Sequence, residues 1–303
     1  MEKILKKIFK KYFEKKNYLA GLSHFIKIKP NYDNYKNLND LDYKVYSQNG
    51  EDGIIDYLLS QLNINEPKFV EIGIGDYREC NTRLIFEIRN ANGLVIDAIS
   101  GLKNKVLKNI RLWRNNLTVL EKKIDSSNIN QTLQSTNFSE NLDLFSLDID
   151  GIDYWIVKEL PVNFAKIAVV EFNPNFGSTS KITVPNIKEF NRTQYHYSNL
   201  CYGISLRALI DIMKFKGYYF IGTNLQKMNA FFISEEYKKN QYFDKLITEE
   251  LKYYTDSNIR DSRDKNYKLN FLSGTKKLKE IKDCEVINLD NNKKELVRIK
   301  DLL

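Results

Sequence analysis

The stretch Phe69–Asp76, Phe-Val-Glu-Ile-Gly-Ile-Gly-Asp, limits the architectures open to this chain more than any other. A short apolar run ends in an acid, and two glycines follow in alternation. This is the pattern of a buried parallel strand breaking into a tight turn before a helix. Glycines there let the backbone come close to a ligand, because no Cβ intervenes. The residues that follow, Tyr-Arg-Glu-Cys-Asn-Thr and then Arg-Leu-Ile-Phe-Glu-Ile, predict a helix starting near Asn81 or Thr82. A lone G-x-G is also a common structural turn, so its meaning depends on what surrounds it.

The surroundings repeat the theme. Upstream, Ser47-Gln48-Asn49-Gly50-Glu51-Asp52-Gly53 forms a helix entry, after which Ile54, Ile55, Leu58, Leu59 and Leu62 show helical spacing. Downstream, Gly93–Asp97, Leu117–Ile124, Asp143–Asp148 and Ala165–Phe172 read as further strands, and Tyr218–Thr223 and Ala230–Ser234 close the series. Continuous apolar strands separated by helical segments predict a parallel sheet covered on both faces. The last two are joined by a connection so short that they should pair antiparallel.

The chain divides into an N-terminal helical arm (1–44), a core (45–235) and a C-terminal extension of helix and hairpin (236–303). In the arm, Ile4, Leu5, Ile8, Phe9, Tyr12 and Phe13 fall on one helical face with lysines opposite. Such a helix either lies on an anionic membrane surface or packs on its own domain or a partner subunit. Packing is favoured, and a homo-oligomer stays open. In the extension, helical spacing persists through Leu246–Tyr254, and Cys284–Leu289 with Leu296–Ile299 predict a hairpin.

Composition excludes several classes. The 303 residues carry a formal charge of +8, but residues 1–16 hold seven lysines against two glutamates. The remainder is too weakly basic for a nucleic-acid binder. No run of about 18 apolar residues spans a membrane, and the N-terminus lacks the apolar core of a secretory signal. Cys80, Cys201 and Cys284 are odd in number and far apart, which fits a reducing cytoplasm and argues against a disulfide framework or zinc site.

Four strands end in acids: Glu71, Asp97, Asp148 and Glu171. A single such acid is more often a helix cap or loop residue. Four at the carboxyl edge of one α/β sheet, where ligands sit, favour a site. Asp97 lies about 20 residues past the glycine turn, where an acid accepts hydrogen bonds from ribose hydroxyls. The position three past Gly75 is Arg78, so G-x-G-x-x-G is incomplete, and no G-x-x-x-x-G-K-[ST] loop exists. A nucleoside without pyrophosphate fits better than NAD or ATP, and S-adenosylmethionine is of that kind. Candidate cofactor residues are Glu71, Gly73, Gly75, Asp97, Asp125 and Asp148. Asp148 and Asp150, in Asp-Ile-Asp-Gly-Ile-Asp-Tyr-Trp, suit either a base or a hard cation such as Mg²⁺, for which Asp148, Glu171 and Asn173 are the candidate ligands. His196, in a polar aromatic loop, competes with Asp148 and Asp150 as catalytic base. Asn175, Tyr195 and Tyr197 are candidate substrate contacts.

Ser-Gln-Asn-Gly-Glu-Asp at 47–52, Phe-Val-Glu-Ile-Gly at 69–73, Asp-Ile-Asp-Gly-Ile-Asp-Tyr-Trp at 148–155 and Val-Glu-Phe-Asn-Pro-Asn-Phe-Gly at 170–177 occur in one order. Tyr-Gly-Ile-Ser-Leu-Arg-Ala-Leu at 202–209 and Gly-Thr-Asn with Asn-Ala-Phe-Phe at 222–232 continue it. Together they resemble FkbM-like S-adenosylmethionine-dependent methyltransferases of bacterial surface-polysaccharide gene clusters, over roughly residues 45–235. The resemblance implies a Rossmann-like class I methyltransferase fold, α/β, with a mostly parallel seven-stranded sheet whose last strand is antiparallel. It also implies methyl transfer to an oxygen of a sugar, nucleotide-sugar or capsule precursor. The glycine turn departs from the longer G-x-G-x-G of many such enzymes. Two other readings remain: a catalytically silent module organising a capsule-assembly complex, and an unrelated nucleotide-sugar enzyme.

Overall fold

The computed structural model describes residues 2–35, 37–110, 116–177, 179–237, 243, 261–290 and 294–302. In chain order it contains α1 (Glu2–Ile28), α2 (Glu51–Gln61), β1 (Lys68–Ile72), α3 (Arg83–Ile88), β2 (Asn92–Asp97), α4 (Leu102–Leu107) and β3 (Asn116–Glu121). There follow α5 (Ile129–Gln134), β4 (Leu142–Leu147), α6 (Asp153–Glu159), β5 (Ala165–Glu171), β6 (Ile182–Thr183), α7 (Arg192–Tyr195), α8 (Leu206–Phe215), β7 (Tyr218–Thr223) and β8 (Asn229–Ser234). The last elements are α9 (Thr275–Glu280), β9 (Glu285–Asn288) and β10 (Glu295–Arg298).

The main sheet has seven strands in the order β3-β2-β1-β4-β5-β8-β7. β1 to β5 run parallel, and β8 is antiparallel to both β5 and β7. This is the Rossmann-like class I methyltransferase fold. The order reverses between β1 and β4, the switch point at which open α/β sheets bind their ligands.

Strand side chains alternate between two cores. Val70, Ile72, Phe145, Leu147, Ala168 and Val170 pack with α6 and α8 on one face. Phe69, Leu144, Ile167, Val169 and Phe231 pack with α2 and α3 on the other. Both faces are dry, which is why the strands read as continuous apolar runs rather than alternating ones.

The arm joins the second core. Phe25, Ile28 and Tyr32 are buried there, and Tyr18 stacks on Tyr46 with ring centroids 5.0 Å apart. The C-terminal half of the helix thus packs on its own domain, and the helix runs on to Ile28; Tyr12, on the face read as apolar from the sequence, is exposed. The side chains of Ile4, Leu5, Ile8, Phe9 and Phe13 lie outside the described residues, as does Leu246–Tyr254. The expected C-terminal hairpin forms between β9 and β10, and β6 extends it to three strands. No helix among the described residues is long and apolar enough to cross a membrane.

Candidate active site

The turn after β1 is held from beneath. Glu71 is buried and accepts hydrogen bonds from the Asn81 and Thr82 backbone N–H groups (2.8 and 3.0 Å) and from the Thr82 hydroxyl (2.5 Å). Asn81 Nδ2 then donates to Ser146 Oγ on β4 (3.0 Å). Burial pushes the Glu71 carboxyl up to about 7, against the pull of those three donors. Glu71 thus fixes where the turn ends and α3 begins, and it does not line the cavity above.

Gly73 and Gly75 adopt φ values of +88° and +57°, which side chains other than glycine's reach only under strain. They differ in surroundings. A Cβ on Gly73 would collide with the Asp148 backbone, whereas one on Gly75 would meet nothing within 4 Å among the described residues. Gly73 lets two loops cross, and Gly75 leaves space open.

That space belongs to a cavity of about 770 Å³ above the carboxyl ends of β1, β2 and β4. Its floor is the glycine turn, with Asp97 and Ala98 from the end of β2 and Lys122 to Ile124 after β3. Asp148 to Ile152, after β4, and Phe190 form a second wall, and Tyr18 and Tyr46 from the N-terminal region a third. Asp97 Oδ2 accepts from Gly75 N (2.8 Å) and Oδ1 from Ile99 N (3.0 Å), so its carboxylate is fixed and faces the cavity with lone pairs to spare.

The acids after β4 and β5 converge. Ligand atoms of Asp148, Asp150 and Glu171 lie within 4.8 Å of one another. Burial, then the neighbouring Asp150, pushes the Asp148 carboxyl well up; burial, then Asp148, does the same to Glu171. Two such carboxyls hold a proton between them, because like charges this close do not both ionise. Asp153, fully buried, accepts from Ile149 N (3.2 Å) and Gly151 N (3.0 Å) and shapes the loop. Asp150 itself sits at φ +53°, a conformation that costs energy and recurs at functional sites.

Arg192 compensates the acids. It donates Nη1 to Asp150 Oδ1 and Nη2 to Asp261 Oδ2 (2.6 Å), caps the Asn199 carbonyl, and lies 4.1 Å over the Tyr202 ring. A second clamp sits behind Glu171. Glu51 Oε1 accepts from Asn224 Nδ2 (2.8 Å) and Asn229 Nδ2 (2.7 Å), and Asn229 is the β8 partner of Glu171. Sequence reasoning assigned no role to Arg192, Asp153, Asn224 or Asn229, and read Glu51 as part of a polar helix entry. Polar residues at strand ends in two quoted motifs, Gly-Thr-Asn and Asn-Ala-Phe-Phe, were the available signal for Asn224 and Asn229.

Other expected site residues lie elsewhere. Asn173 donates both amide protons to the Leu200 and Tyr202 carbonyls (2.9 Å each) and accepts from Asn175 N, so its amide pins backbone, and Asp150 takes the place beside Asp148 and Glu171 expected for it. His196 Nδ1 contacts Ser198 Oγ (2.6 Å), and its ring stacks on Tyr197 away from the cavity. Tyr195 donates to the Glu285 carbonyl (2.6 Å) and Tyr197 to Glu280 Oε1 (2.5 Å), so both tie down the C-terminal extension. Asp125 accepts from Ser127 N and Oγ and closes a local turn beside the cavity lining. Asn175 is buried, and its Oδ1 has no partner among the described residues.

No protein-family model and no curated protein match the sequence. Among solved structures, the chain is similar to an S-adenosylmethionine-dependent methyltransferase from Clostridium acetobutylicum, at 10% identity and a TM-score of 0.37, over 61% of this chain and 90% of that one. It is similar also to the fibrillarin/Nop5p complex, at 12% identity and a TM-score of 0.36, over 56% of this chain and 72% of that one. For an O-methyltransferase family protein from Burkholderia thailandensis the values are 10% and 0.36, over 61% of this chain and 59% of that one. At such low similarity the fold assignment rests on the strand order and the antiparallel β8, and these make the chain a class I methyltransferase fold.

Proposed function

We propose that the chain is an S-adenosylmethionine-dependent methyltransferase that methylates a hydroxyl of a sugar, nucleotide-sugar or capsular-polysaccharide precursor. The observation that carries this reading is one cavity holding the open space at Gly75, the fixed carboxylate of Asp97, and the Asp148–Asp150 loop. The donor set suits a nucleoside: a carboxylate for vicinal hydroxyls, a glycine for close approach, and no loop built for phosphate. Bound there, the sulfonium supplies a methyl group that transfers by in-line displacement.

The chain's own residues then have three tasks. Asp97 and Gly75 hold and orient the donor. Asp148, its pKa raised by burial, takes up the acceptor's proton at a carboxylate oxygen, with Glu171 and Asp150 setting its proton affinity. Phe190 and the Asp148–Ile152 loop shield the reacting atoms from water. The same three carboxylates also suit a divalent cation, which would serve as an alternative way to hold the acceptor oxygen.

The test is direct. S-adenosylhomocysteine should raise the melting temperature while NAD and ATP leave it unchanged, and absence of that shift sinks the reading. Methyl transfer is then assayed against extracted sugar nucleotides and capsule fragments, with and without EDTA. Activity that survives EDTA assigns the acids to proton transfer alone.

A further inference from the structure

Cys201 and Cys284 lie far apart in the chain and meet in the fold. β6 pairs antiparallel with β9, and an isolated bridge joins Thr183 of β6 to Ile204. The segments just before Ile204 and just before β9 are thereby drawn to one place. Tyr195, donating to the Glu285 carbonyl, and Tyr197, donating to Glu280, fasten them together. There the two thiols hydrogen-bond to each other, and His196 hydrogen-bonds to Cys284. Cys80 lies elsewhere, buried near Glu71.

The backbone on both sides of this contact is fixed. The Leu200 and Tyr202 carbonyls, which flank Cys201, both accept from Asn173 Nδ2 (2.9 Å each). Cys284 N donates to the Ile281 carbonyl (2.9 Å), and the Cys284 carbonyl accepts from Ile299 N (3.1 Å). The His196 ring is oriented by the contact of Nδ1 with Ser198 Oγ (2.6 Å). The two sulfurs are not equivalent. The Cys201 hydrogen bond, against burial and with help from His196, holds the Cys284 thiol below its ordinary range. The same bond, with burial, pushes Cys201 well up. Cys284 is also the more accessible of the two, 7% exposed against 0%. A thiolate-prone sulfur beside a protonated thiol is the arrangement of an attacking and a resolving cysteine.

We propose that Cys201 and Cys284 form a reversible redox pair that a hydroperoxide converts to a disulfide, tying the C-terminal extension to the core. The Cys284 thiolate attacks the O–O bond of hydrogen peroxide, keeps one oxygen as a sulfenic acid and releases the other as hydroxide, which takes up the proton lost from Cys284. The Cys201 sulfur then attacks the Cys284 sulfur. The S–S bond forms, the S–O bond breaks, and the hydroxyl leaves as water with the Cys201 proton. Two electrons pass from the two thiols to the peroxide, which ends as two waters. The odd cysteine count argues against a structural framework, and a transient pair is a different thing. The inference stands apart from the methyltransferase reading.

Hydrogen peroxide added to the full, reduced chain tests this. Thiols counted after denaturation should fall from the three of the sequence to the single Cys80. Peptides carrying Cys201 and Cys284 should be joined within one chain, and dithiothreitol should restore all three thiols. The oxidised protein should melt higher by about 5 °C, because the bond closes a long loop. Cys201→Ser should stop at a Cys284 sulfenic acid that dimedone traps, and Cys284→Ser should keep both of its remaining thiols. The proposal is overturned if all three wild-type thiols persist, if Cys80 is among those lost, or if the link joins two chains. It is overturned equally if the oxidised protein melts no higher than the reduced one, or if Cys201→Ser yields no dimedone adduct at Cys284.

Discussion

A Cβ placed on Gly73 would lie 1.6 Å from the backbone carbonyl oxygen of Asp148. The donor turn after β1 and the acidic loop after β4 therefore touch backbone to backbone, and no side chain fits between them. Gly73→Ala should cost about 2–4 kcal/mol, through this collision and the positive φ together. Gly75→Ala meets nothing and should cost only the left-handed conformation, about 1–2 kcal/mol. Its effect falls instead on the ligand, with S-adenosylhomocysteine affinity down by about tenfold because the new methyl occupies the approach that glycine leaves open. Denaturant titration and calorimetry separate the two variants.

Asp97→Asn keeps the shape of the β2 end and removes its charge. One amide oxygen still accepts a backbone N–H, but the amide NH2 then faces the other of Gly75 N and Ile99 N, so the variant should also lose about 1–3 kcal/mol of stability. Ligand affinity should fall by roughly 10- to 100-fold, the worth of one or two hydrogen bonds to a charged group, as read by calorimetric titration.

The Asp148–Glu171 pair makes stability depend on pH in an unusual direction. The pair is pushed up, so the folded protein keeps a shared proton that the unfolded chain releases above about pH 4. Stability should accordingly fall as pH rises from about 4 into the neutral range. Glu71, raised to about 7, adds to the same slope between the ordinary glutamate range and neutrality. Glu171→Gln should flatten the slope by up to about 1.4 kcal/mol per pH unit, one proton's share. Unfolding free energies measured from pH 5 to 8 check the sign; a slope equal to that of wild type refutes it.

Arg192 lies at the centre of a fork that reaches Asp150, Asp261 and the Asn199 carbonyl, and its side chain is only 15% exposed. Arg192→Met should cost about 2–3 kcal/mol, less than a fully buried pair because both aspartates are partly exposed. It should also shift the acid limb of any rate profile to higher pH, since Arg192 holds the Glu171 proton affinity down. Arg192→Lys keeps the charge but not the fork, and recovers only part of the loss.

The sheet was legible because its signal is local. β1 and β7 begin and end where the apolar runs do, and the short link before β8 announced an antiparallel pair. The three acids Asp97, Asp148 and Asp150 were also readable, since strand ends in a parallel sheet share one edge. The rest depended on distance in the chain. Arg192 meets Asp150 across a 42-residue separation and Glu51 meets Asn229 across 178, and no periodicity encodes such meetings. Aromatic character misled at Tyr195 and Tyr197: a ring near a site serves equally as an anchor, and here the hydroxyls bind the C-terminal extension. Asn173 misled for a related reason, because an amide that pins backbone looks, in sequence, like one that binds a ligand.

β8 sits between β5 and β7, yet it is the last strand of the main sheet to be synthesised. As the chain leaves the ribosome, the edge of β5 must therefore stay unpaired until residues beyond Ile233 emerge. Glu171, on that edge, lacks its Asn229 neighbour for the same interval. Until then the nascent chain presents a long apolar edge open to other strands, and any ribosome-bound chaperone that protects this protein should be most needed between the emergence of Glu171 and that of Ser234.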